Sequence, residues 1–96
     1  MNSDTPKPIA EAILSTLHEL GIQKKIRQYE VIELWETIVG EQIAKVTAAE
    51  RIDDGKLFVH VFRAPWRNEL VFLKKEVIAK INAAFHEEIV HDIIFR

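Results

Sequence analysis

The sequence of 96 residues predicts a small two-layer α+β domain, with helices packed on one face of a three-stranded sheet. Two observations indicate this class. Apolar residues recur at helical spacing before residue 46 and after residue 65, and between these segments they alternate with a period of two. Asp54-Gly55 stands between apolar stretches, which is a strong local signal for a β-hairpin. The predicted order of elements is α-α-β-β-α-β.

Helix one is predicted from Pro8 to Leu20, where apolar residues follow each other every three or four positions. Gly21 is predicted to end this helix, with Ile22 folding back as the apolar partner of a C-cap. The preceding residues, 1–7, are predicted to form a flexible tail, which leaves 8–96 as a single domain.

Helix two is predicted to start near Ile26 and to carry a broad apolar stripe that includes Trp35. Gly40 is expected either to end this helix or to mark a close approach of another segment, because glycine in a helix interior costs about 1 kcal/mol relative to alanine.

The first strand is predicted from Thr47 to Ile52 and the second from Leu57 to Arg63. Both sides of the second strand are largely apolar, with Leu57, Val59 and Val61 on one side and Phe58, His60 and Phe62 on the other. This pattern indicates a central strand, or a face that a helix covers. The last strand is predicted from Glu88 to Phe95.

Helix three is predicted from Pro65 to Phe85, because proline suits the first position of a helix and an apolar stripe with Trp66 and Leu70 follows. Phe72 lies on its polar side, roughly 240° around the helix from Trp66. A large aromatic on a polar face is an informative exception. Phe72 therefore either contacts a partner chain or lies under helix one or two.

The composition and motifs predict a protein that is not an enzyme and holds no cofactor or metal. Cysteine is absent, so disulfides and thiolate ligands are excluded, and no catalytic nucleophile is paired with a base. The three glycines form no loop that would cradle phosphate. His60 and His91 are more typical of ordinary strand residues than of a two-histidine site. The chain shows neither a signal peptide nor an apolar run of about 20 residues, so we expect a cytoplasmic protein.

The net charge of −2 hides an uneven distribution. Residues 28–54 carry a net charge of −5, and residues 56–80 carry +4. The two segments attract each other or simply keep the protein soluble, or the second forms a basic face on a nearly neutral protein. For such a face, the candidate phosphate contacts are Arg63, Arg67, Lys74 and Lys75.

Three short motifs resemble those of the DciA-like family. They are Trp35-x-x-Ile38-Val39-Gly40, Asp54-Gly55-x-Leu57 and Trp66-x-x-Glu69-Leu70, and weaker matches extend over about residues 31–96. The resemblance implies a fold similar to a type II KH domain. It also implies a role in bacterial replication, in which members engage the replicative helicase DnaB and promote its loading on single-stranded DNA.

The chain departs from these expectations at two points. It contains no Gly-x-x-Gly loop, the element with which KH domains clamp a nucleic-acid backbone. Better-studied members of the family carry a long basic C-terminal tail, whereas this sequence ends at Arg96 and is expected to be a short form. The leading hypothesis is therefore an adaptor that binds DnaB through Phe72 and single-stranded DNA through its basic residues. The alternatives are a protein–protein or homodimerisation module without a nucleic-acid role, and an RNA-binding KH-like domain.

Overall fold

The computed structural model describes residues 7–96, so the predicted tail falls almost wholly outside the described residues. The side chains of five residues inside α1 (Lys7, Pro8, Leu17, His18 and Leu20) are likewise not described. The elements are α1 (Lys7–Glu33), α2 (Trp35–Val39), α3 (Glu41–Ala44), β1 (Thr47–Asp53), β2 (Lys56–Val61), α4 (Ala64–Phe72), α5 (Lys74–Phe85) and β3 (Asp92–Phe95). The predicted α+β class is confirmed, with the helices and strands in the expected overall order.

The boundary predicted at Gly21 is wrong, because α1 continues through it to Glu33. A glycine costs a helix only about 1 kcal/mol, and the good helix formers that follow it, such as Gln23 and Lys24, favour continuation. The predicted cap contact is also missing, since the side chain of Ile22 is 42% exposed. The first predicted helix and the first part of the second are therefore one helix.

Gly40 ends α2 and begins α3 with φ 91° and ψ 162°, a backbone conformation that residues with a side chain rarely adopt. A Cβ atom at this position would meet no other atom within 4 Å. Of the two roles predicted for Gly40, the structure therefore shows helix termination and not a close approach.

The sheet is mixed, with the order β1-β2-β3. The hairpin predicted at Asp54-Gly55 is confirmed, since β1 and β2 pair antiparallel around this turn. β2 and β3 pair parallel, with Leu57 opposite Ile93. β2 is thus the central strand, as its two apolar sides predicted.

The last strand is shorter than predicted because the side chain of Asn82 hydrogen-bonds backbone groups that could otherwise pair with the neighbouring strand. Asn82 accepts hydrogen bonds from the amides of Ile89 and Val90 at 3.0 and 3.1 Å. It also donates one to the Val90 carbonyl at 2.9 Å. Pairing with β2 consequently begins only at Asp92.

Helix three is two helices, because Leu73 leaves the helical conformation with φ −91° and ψ 1°. α4 lies against β2 and β3, whereas α5 lies against α2 and β3. The break therefore lets two short helices cover different parts of the sheet. We call residues 63–75 around this break the α4–α5 corner.

The core lies between the helices and one face of the sheet. Its central cluster consists of buried side chains from α1, α2, β2, α5, β3 and the segment before β3: Val31, Trp35, Leu57, Val59, Val77, Ile81, Val90 and Ile93. Three apolar residues of predicted helix one do not join this core, since Ile9, Ile13 and Leu14 are more than half exposed. Residues 7–26 instead form an arm, and the described chain measures 62 Å by 19 Å by 19 Å. Between residues 7 and 96 no helix combines the length and apolarity that crossing a membrane requires.

Candidate nucleic-acid and partner surfaces

Arg63 stands at the entrance to α4, where its extended backbone turns the chain from the sheet into the helix. Its exposed side chain lines an open cavity of about 490 Å³, together with Gln42, Lys45, Val46 and Trp66. This lining contains two cationic side chains and one large aromatic, and no carboxylate. The cavity therefore offers both a charge for a phosphate and an indole for an apolar or aromatic group.

The other three basic residues predicted to contact phosphate differ in their exposure and in whether their charge is paired. Lys75 is exposed, and no acidic side chain of residues 7–96 lies within ion-pair distance of it. Arg67 is half-buried, and its Nε atom makes no hydrogen bond within the described chain. Lys74 is engaged, since its Nζ lies 3.1 Å from Oδ1 of Asp92. The hydrogen bond from Lys74 holds the pKa of Asp92 below its usual value.

Phe72, the last residue of α4, is 86% exposed. The sequence left two readings open, contact with a partner or cover by helix one or two, and no helix of the described chain covers it. Val71, beside it in the chain, is 53% exposed. The α4–α5 corner thus presents apolar surface next to the basic residues.

A second surface lies on the side of the sheet that faces away from the core. We call it the open sheet face, and it comprises Arg51, Phe58, His60, Phe62 and Arg96. The Arg51 guanidinium lies 4.0 Å from the centre of the Phe58 ring, and that of Arg96 lies 5.6 Å from it. The rings of His60 and Phe62 meet edge to face at 5.2 Å.

Sequence reasoning placed Phe58, His60 and Phe62 on one side of a strand but did not place the arginines beside them. Arg51 reaches Phe58 through a register shift between Ala49 and Arg51 in the β1–β2 pairing. Arg96 reaches it because β3 pairs parallel with β2. The sequence indicates this face only through the alternation of side chains along β2. The bulge in β1 and the parallel pairing of β3 leave no recognisable pattern in the local sequence.

A cavity of about 550 Å³ separates the middle of α1 from the hairpin turn and the segment before β3. One ion pair crosses it, with Nη1 of Arg27 2.8 Å from Oε1 of Glu87. The His91 ring lies at hydrogen-bonding distance, 3.0 Å, from the carbonyl of Asp54. His91 and His60 therefore lie in different surroundings, and the side chains that the structure describes include no cluster of three or more potential metal ligands.

Comparison with known protein families shows to which family this chain belongs. The family model described as "Dna[CI] antecedent, DciA" matches residues 8–95. The chain belongs to the DciA family. Its relatives include UPF0232 proteins of Mycobacterium tuberculosis (strain H37Rv) and Rhodococcus jostii (strain RHA1). Each is 26% identical over 88 residues, which cover 92% of this chain and 47% of the relative. The chain thus spans about half the length of these relatives.

Most of the residues that carry the DciA resemblance lie in the core or at a point where a helix or a strand ends. Trp35 is 5% exposed and Leu70 is fully buried. Gly40 separates two helices, and a Cβ atom at Gly55 would overlap the ring of His91. Trp66 is half-buried and lines the cavity beside Arg63. Most of the DciA signature therefore supports the fold, and Trp66 also reaches the surface.

Proposed function

We propose that this DciA-family domain is a non-enzymatic adaptor that binds the replicative helicase DnaB and single-stranded DNA during replication initiation. Family membership supports the replication role. The observation that carries the adaptor role is the exposure of Phe72, at 86%, beside basic side chains at the α4–α5 corner. Aromatic side chains, phenylalanine among them, are enriched at protein interfaces relative to the rest of the surface.

The protein-binding half of the proposal assigns Phe72 to the helicase interface. An 86% exposed phenylalanine leaves apolar area in water that a partner's pocket would remove from it. Val71 adds a second apolar side chain next to it. In this proposal Phe72 inserts into a pocket of the helicase, and Val71 contacts the helicase beside that pocket.

The DNA-binding half of the proposal uses the free cations of the same corner. Arg63 and Lys75 are exposed, and Trp66 lies beside Arg63 in the open cavity. Arg67 is half-buried, and its buried Nε atom has no hydrogen-bond partner among the described residues, so it is a candidate donor to a phosphate. Lys74 contributes less, because phosphate would have to compete with Asp92 at 3.1 Å.

A capture experiment tests the helicase interface. Immobilised wild-type chain, Phe72→Ala and Phe62→Ala are each incubated with purified DnaB. Phe62 is the matched control, an exposed phenylalanine (57%) on a different surface. We expect Phe72→Ala to reduce capture at least about 5-fold and Phe62→Ala to leave it unchanged. Equal capture by all three removes Phe72 from the interface, and no capture by wild type refutes helicase binding.

A salt titration tests the DNA half. Binding of a labelled single-stranded oligonucleotide is measured by fluorescence anisotropy from low to physiological salt. Neutralisation of phosphates makes log K fall with log salt, with a slope of about −0.7 per phosphate for single strands. The double variant Arg63→Ala/Lys75→Ala should therefore bind more weakly and with a shallower slope. No binding by wild type at low salt refutes this half.

The exposed apolar residues of the α1 arm favour a second candidate, a homodimerisation or protein–protein module without a nucleic-acid role. Ile9, Ile13 and Leu14 are between 57% and 73% exposed, and Ile26 and Tyr29 are 51% and 63% exposed. Several large apolar side chains exposed on one helix are typical of a surface that a partner covers. Sedimentation equilibrium of wild type and Leu14→Glu decides it. A dimer that Leu14→Glu converts to a monomer supports this candidate, whereas a monomeric wild type excludes the homodimer.

A further inference from the structure

The open sheet face combines flat rings with cations on a surface that no described helix covers. Arg51, His60 and Arg96 are exposed, and Phe62 is 57% exposed. Their strand neighbours Leu57 and Val59 point to the other side and are fully buried. The helices therefore occupy one side of the sheet and leave this side to solvent.

The groups on this face are arranged as stacking surfaces. The Arg51 guanidinium lies 4.0 Å from the Phe58 ring centre, which is a cation–π contact. The outer side of that guanidinium stays accessible, because Arg51 is exposed and has no acidic partner within ion-pair distance in residues 7–96. His60 and Phe62 meet at 66°, so they present two differently oriented rings.

The charges of this face favour an anionic partner with flat groups. Lys56 lies on the same side of β2 as Phe58, because side chains alternate along a strand, and it is exposed. Two of the neighbouring carboxylates are engaged, since Glu50 lies 2.9 Å from Arg96 and Asp92 pairs with Lys74, whereas Asp53, opposite Lys56 in the β1–β2 pairing, makes no ion pair with a described side chain. Arg51, which faces Phe58 and no carboxylate in the strand pairing, is the main free charge of this face, and Lys56 adds a second one at the turn end of β2, opposite Asp53.

We propose that the open sheet face binds single-stranded DNA, with bases stacked on Phe62, His60 and the Arg51 guanidinium and phosphates held by Arg51 and Lys56. This inference rests on the proposed function, whose DNA half it extends from the α4–α5 corner to a second surface. Unpaired bases can stack on protein rings and guanidinium planes, and such stacking tolerates any base. A duplex cannot use this face in the same way, because its bases are already stacked and paired with each other.

The test is an anisotropy titration of fluorescein-labelled (dT)15 with the full chain. The variants are Phe62→Ala, Arg51→Lys and the control Leu34→Ala, which shortens a 42% exposed apolar side chain between α1 and α2 that belongs to neither proposed DNA surface. We expect Phe62→Ala to weaken binding at least about 5-fold, as is typical of the loss of one base–aromatic stack. Arg51→Lys keeps the charge but removes the guanidinium plane. It should weaken binding about 3-fold or more, a size set by the lost stacking, without a change in the salt slope. Leu34→Ala should bind like wild type, and all variants are first checked by circular dichroism.

The outcomes separate this inference from the proposed function. If wild type binds (dT)15 and both Phe62→Ala and Arg51→Lys bind equally well, the open sheet face is excluded while DNA binding by the domain stands. If a duplex of the same length binds as tightly as (dT)15, stacking is excluded. If wild type does not bind (dT)15 at all, both this inference and the DNA half are overturned, and helicase capture still decides the other half.

Discussion

The indole Nε1 of Trp35 donates a hydrogen bond of 2.9 Å to the hydroxyl of Thr47. The Thr47 hydroxyl in turn donates to the carbonyl of Ile43 at 2.7 Å. Both Trp35 and Thr47 are at least 95% buried, so the two bonds run through apolar surroundings. This chain of bonds ties the start of α2 and the end of α3 to the first residue of β1, and it explains how a tryptophan with a polar atom is accommodated in the core.

Replacement of Thr47 by valine should destabilise the fold although the shape is conserved. The substitution leaves the buried Trp35 N–H without an acceptor, which costs about 1–3 kcal/mol. Urea unfolding measures the change in free energy. Thr37→Val is the matched control, because Thr37 is exposed on α2 and the same change there should stay within about 0.5 kcal/mol. A Thr47→Val chain as stable as wild type would contradict a structural role for this bond.

Asn82→Ala should loosen the segment between α5 and β3. The side chain makes three hydrogen bonds to the backbone of Ile89 and Val90. Their loss should cost about 2–4 kcal/mol, because the backbone groups of the buried Val90 are left without partners. Hydrogen exchange should speed up at both amides. The control Asn68→Ala, at an exposed position of α4, should leave both quantities unchanged, and a similar effect of the two variants would refute the anchoring role.

The predictable parts of this fold are those with local signals. Asp54-Gly55 marks the hairpin by its own chemistry, and the two apolar sides of β2 indicate a central strand. The break at Leu73 has no such signal, because neither glycine nor proline stands there. At the candidate sites, the basic residues and Phe72 were visible in the sequence, but the pairing of Lys74 with Asp92 and of Arg51 with Phe58 depends on segments brought together only by folding.

Gly21→Ala should stabilise the domain, because Gly21 lies inside α1 and a Cβ atom there would meet nothing within 4 Å. Alanine should raise the free energy of unfolding by about 0.5–1 kcal/mol where the region unfolds with the domain. Circular dichroism should show no loss of helix. A helix that stops at Gly21 in a left-handed conformation would give the opposite result, since alanine is strained there, so a destabilised variant would contradict the continuous α1.

Gly55→Ala should destabilise the hairpin for two separable reasons. Gly55 has φ 76°, which strains alanine, and the added Cβ would overlap the ring of His91. The destabilisation caused by the overlap with the ring should vanish when His91 is also replaced by alanine. We therefore expect a double-mutant cycle from urea unfolding to show a coupling of about 1 kcal/mol or more between the two positions. Additive effects would mean that the ring moves aside at no cost.

The ion pair between Lys74 and Asp92 should make stability depend on pH at the acidic end. The pKa of Asp92 is lowered from its ordinary value of 3.8, chiefly by the hydrogen bond from Lys74. Since the folded pKa lies below the unfolded one, the contribution is present above about pH 4. It is lost as the pH falls through the folded pKa of Asp92.

The variant Asp92→Asn should therefore lower the free energy of unfolding at pH 7, by at most about 1 kcal/mol for a pair as exposed as this one. At about pH 2, where the wild-type carboxyl is closer to protonation, the same variant should have a smaller effect. Asp53→Asn is the matched control, at an exposed position with no ion-pair partner in residues 7–96. Urea unfolding at both pH values measures the difference. An equal loss at pH 7 and pH 2 would show that Asp92 acts through its shape or its hydrogen bond to the Ile93 amide, because only the charge changes over this range.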